Sequence, residues 1–263
     1  MPLAVEACGW QGHWRQLVRG LVRVDSERAE RKLLDNLAQP GRPTVLAFVN
    51  AHAMNSAATS REFFEALRSA DVVLRDGSGM ALLLKLLNMA PGLNLNGTDL
   101  IPKLLRRFAG RPIALFGTED PWLSQARATV TATLAPGSPC VIEHGFLPTA
   151  DYVRLACAQA PALIVLGMGM PRQEQVAREL RATLDHPCLI VCGGAILDFL
   201  GGKTSRAPRW MRGAGVEWLY RLGLEPRRLF RRYVVGNPLF VARALKLALG
   251  GTKPARGPLS RTP

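Results

Sequence analysis

The residues best suited to chemistry lie just beyond short apolar runs. Arg75-Asp76-Gly77-Ser78-Gly79 follows one such run. Gly77 and Gly79 let the backbone turn tightly and approach a ligand. A carboxylate at Asp76 then stands at the mouth of a crevice, where it can take a proton from an attacking hydroxyl. Aspartate also fills a helix N-cap well, and spacing alone does not separate the two roles. Asn50 ends an earlier run, with His52 and Asn55 behind it. It is either a ligand contact or a turn residue bonding nearby backbone. The most distinctive loop is Leu166-Gly167-Met168-Gly169-Met170-Pro171-Arg172-Gln173-Glu174. Two glycines leave a strand, a proline opens a helix, and Gln173 and Glu174 fall in its first turn. Gln173 can hydrogen-bond a sugar or base, while Glu174 can complement the helix dipole. Cys192-Gly193-Gly194-Ala195 again offers close backbone approach to a ligand. Asn96-Gly97-Thr98-Asp99 and Phe116-Gly117-Thr118-Glu119-Asp120 read first as turns before capped helices, with anion binding at the helix start as the alternative. Asp198 reads as structural.

Several chemistries lack their residues. The glycine loop is not GxGxxG, which argues against a dinucleotide site, and neither a GxxxxGK[ST] loop nor a GxSxG elbow occurs. The five cysteines form no CxxC pair and the four histidines are not at ligand spacing, so no metal or cofactor is expected. They read as reduced, mostly buried thiols of a cytoplasmic protein. The stretch Met1 to Trp10 makes a poor signal peptide. No run approaches the roughly 20 apolar residues of a membrane span.

The elements that must position these groups alternate. Apolar runs at 44–50, 72–75, 113–117, 141–144, 163–167 and 189–193 read as strands buried on both faces. Helical stretches lie between them. Ser60 caps one, Thr98 or Asp99 starts another, and Pro121 and Pro171 each open one. The pattern predicts an α/β fold with a mostly parallel, Rossmann-like sheet flanked by helices. Such sheets bind ligands beyond the carboxyl ends of their strands. Pro226 opens a last helical stretch, which Pro238 is expected to interrupt.

Charge divides the chain. The 263 residues carry 34 Lys+Arg against 20 Asp+Glu, a net charge of +14. Residues 1–202 hold 20 basic and 18 acidic residues, net +2, whereas 203–263 hold 14 basic residues against Glu217 and Glu225, net +12. The expected organisation is an α/β body at 1–202, a basic helical appendage at 203–250 that associates with a membrane, and a disordered tail at 251–263. A basic tail alone also suits nucleic acid, but nucleic-acid binders spread cations along a groove. With a near-neutral body, no nucleic-acid partner is expected.

These motifs, in this order, resemble the WecG/TagA/CpsF glycosyltransferases. The resemblance covers about residues 44–241. It rests on Asn50, Asp76-Gly77-x-Gly79, Asn96-Gly97-Thr98-Asp99, Phe116-Gly117, Gly145-Phe146 and Gly167-x-Gly169-x-Pro171-x-Gln173-Glu174. It continues through Gly193-Gly194-Ala195, Arg206-Ala207-Pro208, Glu217-Trp218-Leu219-Tyr220-Arg221-Leu222 and Glu225-Pro226-x-Arg228-x-x-Arg231. The resemblance implies an inverting, metal-independent transfer of a hexose from a UDP-sugar to a lipid-linked saccharide, in surface polysaccharide synthesis at the inner membrane face. It makes Asp76 the general base and places Asn50 and Gln173 at the donor. Gly77, Gly117, Gly167, Gly169, Gly193 and Gly194 join them as donor-binding positions. Arg221, Arg228 and Arg231 are implied to close over the diphosphate.

Where some members have threonine this chain has Phe48, and where some have arginine it has Asn94. Glucosyl-type and N-acetylmannosamine-type donors both stay open, as does a homo-oligomer.

An inverting transfer needs a base, stabilisation of the leaving diphosphate and exclusion of water. Without a DxD pair, arginines are the natural diphosphate partners. Helical spacing puts Arg228, Arg231 and Arg232 on one face and leaves Arg227 for lipid headgroups. A solvated basic face is the plainer reading of such a run. The interleaved Trp218, Leu222, Leu229, Phe230 and Tyr233 count against it, because these side chains need somewhere to bury.

Overall fold

The computed structural model describes residues 9–250. The expected disorder of 251–263 and the start of the chain through Cys8 lie outside the described residues. Six strands form one sheet: β1 (Thr44–Val49), β2 (Val72–Arg75), β3 (Ile113–Gly117), β4 (Cys140–Glu143), β5 (Leu163–Gly167) and β6 (Leu189–Cys192). All pairings are parallel, in the order β2-β1-β6-β5-β3-β4.

The helices before β3 are α1 (Trp10–Gly20), α2 (Glu27–Leu37), α3 (Ala51–Thr59), α4 (Arg61–Arg68), α5 (Gly77–Leu86) and α6 (Gly97–Arg107). After it come α7 (Trp122–Thr129), α8 (Thr149–Gln159), α9 (Arg172–Thr183) and α10 (Ile196–Leu200). The C-terminal group is α11 (Arg209–Gly213), α12 (Glu217–Leu224), α13 (Pro226–Phe230) and α14 (Gly236–Leu249).

Side-chain alternation divides the core. Val45, Ala47 and Val49 of β1 point to one face with Ile164, Leu166 and Ile190, where α1, α3, α4, α5, α8, α9 and α14 cover them. Leu46 and Phe48 point to the other face with Val165 and Val191, under α2, α6, α7 and α10. Burying each of these Val, Leu, Ile or Phe side chains contributes about 1.5–3 kcal/mol. The helix after β1 therefore packs on one face and the helix after β6, its sheet neighbour, on the other. Their departing loops diverge and leave a crevice at the strand ends.

Two local expectations change. The N-cap of α6 is Asn96, not Thr98 or Asp99: its Oδ1 accepts from the Asp99 amide at 3.0 Å. Pro238 does not interrupt the last helical stretch. It lies in the first turn of α14, where a missing N–H leaves no bond unmade. The irregularity is instead a π-helical turn, Arg231–Val235, between α13 and α14.

Residues 203–250 are not uniform. Helix α14 sets Phe240, Ala244 and Leu247 into the core, with the Phe240 ring 5.3 Å from Trp14. Asn55 of α3 donates to the Gly236 carbonyl at 2.7 Å and accepts from Arg243 at 2.9 Å. By contrast α12 has no buried residue. Among the described residues no helix is long and apolar enough to cross a membrane.

Candidate active site

Asp76 occupies the N-cap position of α5, but its side chain caps nothing. Its backbone N–H donates to the Val49 carbonyl at 2.7 Å, tying the end of β2 to β1. Arg75 beside it donates to the carbonyls of Pro91 and Gly92 at 2.7 Å each. Asn94 accepts from the Gly77 amide at 2.9 Å, so the backbone around Asp76 is fixed from both sides. Asn50 takes the backbone-bonding role read for it and also reaches Asp76. Its Oδ1 caps α3 by accepting from the Ala53 amide at 3.0 Å, and its Nδ2 donates to Asp76 Oδ2 at 3.3 Å.

Burial holds the Asp76 carboxyl above the ordinary carboxylate range, against the opposing effects of the Asn50 bond and of Arg232, Arg221 and Arg75. A raised acid of this kind is a stronger base once ionised.

Asp76 borders two spaces. One is the strand-end crevice, about 270 Å³, over the ends of β1, β6, β5 and β3. The other, about 490 Å³, lies between α5, α12 and α14. Asn50, Asp76, Thr98, Arg221 and Arg232 border both.

The crevice floor is largely backbone. Gly167, Gly169, Gly193 and Gly194 line it, with Gln173 behind them. Gln173 is 1% exposed, and both polar atoms of its amide have a partner. Its Oε1 accepts from the Gly194 amide at 2.9 Å, and its Nε2 donates to Glu174 Oε1 at 2.8 Å. It thus fastens the loop after β5 to the loop after β6, where Gly194 takes a positive φ of 62°. Glu174 is 2% exposed, with Oε2 unpartnered among the described residues. Burial pushes its carboxyl up to about 7.

Gly117 does not line the crevice. A Cβ there would stand 2.4 Å from the Gly167 carbonyl, so the glycine permits close approach of the two strand ends. Its neighbour Thr118 does line the crevice and donates to Asp198 at 2.6 Å. Gly77 borders the second cavity. Cys192 lines the crevice, but burial raises its thiol well above the ordinary value, which suppresses the thiolate that a nucleophile needs. Cys140 and Cys188 are buried, and their thiols are pushed up to about 11 and about 12.

The C-terminal helices supply the cations. Arg221 borders both spaces, with its guanidinium 5.5 Å from the centre of the Phe199 ring. Arg228 lines the crevice and pairs with Glu225. Arg231 is exposed and borders neither space; Arg232 borders both. Leu229 and Tyr233 are the buried residues of this stretch. Four residues apart, they mark its inner side. Arg228 and Arg232 flank that side, while Arg231 falls opposite. The Nε atoms of Arg221 and Arg232 are buried without a hydrogen-bond partner among the described residues.

Helical spacing groups Arg232 with Arg228 and Arg231, and the motif resemblance selects Arg231; in the structure Arg232 is the inward residue. The Leu229–Tyr233 pair was the available signal. His52 was noted in the sequence without a role. It lines the second cavity, and burial plus Arg232 push its imidazole down to about 4, so it is neutral there.

A half-buried acid between two spaces, beside arginines whose Nε atoms have no partner among the described residues, suits transfer of a group between two bound substrates. Comparison with known proteins agrees. The chain matches the glycosyl transferase WecG/TagA/CpsF family over residues 18–254. It is 26% identical over 205 residues to the N-acetylglucosaminyldiphosphoundecaprenol N-acetyl-beta-D-mannosaminyltransferase of Bacillus subtilis (strain 168), covering 77% of this chain and 79% of that one. With nearly its whole length matched, the chain belongs to the WecG/TagA/CpsF family and is a glycosyltransferase.

Proposed function

We propose that the enzyme inverts the anomeric carbon while moving a hexose from a UDP-sugar to a polyprenyl-diphosphate-linked saccharide, in surface polysaccharide synthesis. The observation that carries this reading is Asp76, an N-cap carboxylate that caps nothing and borders both spaces. The donor occupies the crevice, its phosphates against glycine backbone and its anomeric carbon toward Asp76. Asp76 takes the proton of the acceptor hydroxyl as that oxygen attacks the anomeric carbon. The carbon–oxygen bond to UDP breaks on the opposite side. Arg221, Arg228 and Arg232 receive the charge that develops on the leaving diphosphate, where fixed cations act most strongly. Phe48 lines the crevice, whereas Asn94 borders only the second cavity. Asn94 already accepts from Gly77, which limits what it can offer a donor substituent.

The acceptor named for the Bacillus relative is lipid-linked, which supports an amphiphilic acceptor here. Leu219, Phe230, Val235 and Leu249 stand exposed on the C-terminal helices, beside exposed Arg227 and Arg231. This segment docks on the anionic inner leaflet, where each Lys or Arg contributes about 1 kcal/mol.

The test is a transfer assay across a panel of UDP-hexoses with a lipid-linked acceptor, for wild type and Asp76→Asn. Transfer from one donor, with an inverted product and loss in the variant, is expected. Near-normal turnover by Asp76→Asn sinks the base assignment.

A further inference from the structure

Gln173 and Glu174 stand side by side in the first turn of α9, and both are buried. The glycine amides at the end of β6 are already taken. Gly193 N–H donates to the Leu166 carbonyl at 2.8 Å, and Gly194 N–H donates to Gln173 Oε1 at 2.9 Å. A ligand over this part of the floor therefore meets the Gln173 amide, since Gln173 also lines the crevice. The two ends of a primary amide have nearly the same shape, so its partners decide which way it points. Gly194 N–H can only donate and calls for the oxygen. Glu174 Oε1 accepts from Nε2 at 2.8 Å and calls for the nitrogen. The two partners agree, and Nε2 keeps one further hydrogen.

A carboxyl in the first turn of a helix ordinarily complements the dipole from the surface. Glu174 is buried instead, and its Oε2 has no partner among the described residues. An apolar side chain of that length would avoid the cost of burying an unpaired oxygen. What the carboxyl secures is Oε1, which still accepts when a proton sits on Oε2. Without it the Gln173 amide can turn over and present its oxygen to the crevice, where it repels a phosphate oxygen. We propose that Glu174 is a positioning residue of the donor site: it fixes the polarity of the Gln173 amide, so that one Nε2 hydrogen faces the crevice and donates to an oxygen of the bound nucleotide. Glu174 itself touches neither substrate. This role takes its ligand from the UDP-sugar reading above, while the restraint itself is the Gly194–Gln173–Glu174 chain of bonds.

The test joins UDP calorimetry to side-chain amide NMR on the full chain. The Gln173 Nε2 protons are identified by their disappearance in Gln173→Met. In wild type they are expected to exchange with water at least tenfold more slowly than exposed glutamine amides. Glu174→Met, which lacks the acceptor, should weaken UDP binding at least tenfold. Glu174→Gln restores an acceptor oxygen and should stay within threefold of wild type. Gln173→Met should cost as much as Glu174→Met, and the double variant no more than either, because the two residues act in series. Freely exchanging Gln173 protons in wild type overturn the role, and that measurement stands even if Glu174→Met fails to fold. So does a Glu174→Gln loss as deep as that of Glu174→Met, or losses that multiply in the double variant. If the Gln173 protons are protected as expected while wild type does not bind UDP, the UDP-sugar reading falls and the restraint on Gln173 stands.

Discussion

The loops after β1, β3, β5 and β6 form their part of the site with backbone, whereas α12 and α13 form theirs with long arginine side chains. The loops are held by fixed hydrogen bonds such as the Asn50 cap and the Gln173–Gly194 bond. The arginines reach the crevice from a segment where α12 buries nothing and α13 buries only Leu229. Such a segment opens at lower free energy than the sheet it covers. The difference separates a preformed floor from a cationic cover held by few buried contacts. Asp76, on the preformed side, is where the largest effect belongs. Asp76→Asn should lower transfer by about 10²–10⁴-fold with UDP binding retained. Because burial raises this carboxyl, its ionised form destabilises the fold, so the variant should also melt higher than wild type at pH 8. Loss of activity together with a lower melting temperature would mean that Asp76 holds structure instead.

The second test stays within the preformed side. Glu174 has a folded pKa of about 7 against an ordinary 4.5. A raised carboxyl contributes stability that is complete below its unfolded value and is lost as pH rises through the folded one. A shift of about 2.5 units corresponds to about 3 kcal/mol. Wild type should therefore lose about that much stability, relative to Glu174→Gln, between pH 4.5 and 8. Urea unfolding of both proteins across this range reads the difference. Parallel curves would show that the buried carboxyl is relieved by some partner.

On the cationic side, Arg232 and Arg231 are adjacent residues with opposite placements. Arg232→Ala should weaken UDP binding by about 1.5–3 kcal/mol, the range for hydrogen bonds to charged groups. Arg231→Ala should weaken it at least fivefold less. The reverse order, measured by calorimetry, would show that the π-helical turn shifts register when the donor binds.

These contrasts also mark what the sequence made legible. Each of the six strands was visible as a continuous Val/Ile/Leu run because both faces of a parallel sheet are buried. Asp76, Asn50 and the glycine loops were visible because they directly follow those runs. Gln173 lines the crevice and also serves Gly194, 21 residues away, and no local pattern encodes that bond. The resemblance points to Arg231 rather than Arg232, because the Glu225-Pro226-x-Arg228-x-x-Arg231 pattern does not record which side of the helix is buried. Pro238 was read as a break because the helix start at Gly236 could not be seen.

The smallest effects belong to the outermost residues of the cover. Arg227 and Arg231 are exposed and border neither space, so their charges act on whatever surface the C-terminal helices meet. Each contributes about 1 kcal/mol near an anionic leaflet, or roughly fivefold in partition. Sedimentation with vesicles of anionic and of zwitterionic lipid separates the two terms of docking. Replacing both arginines with Ala should reduce binding to anionic vesicles roughly 25-fold and leave the weak zwitterionic binding nearly unchanged. Raising salt should mimic the double variant, since screening shortens the reach of these charges. Exposed Phe230, between them, should behave in the opposite way: Phe230→Ser would weaken binding to both vesicles by a similar factor, because its contribution is apolar burial rather than charge. If the arginine pair instead lowered binding to both vesicle types equally, the segment would be held by packing, and the division into a rigid floor and a membrane-delivered cover would fail at its outer edge.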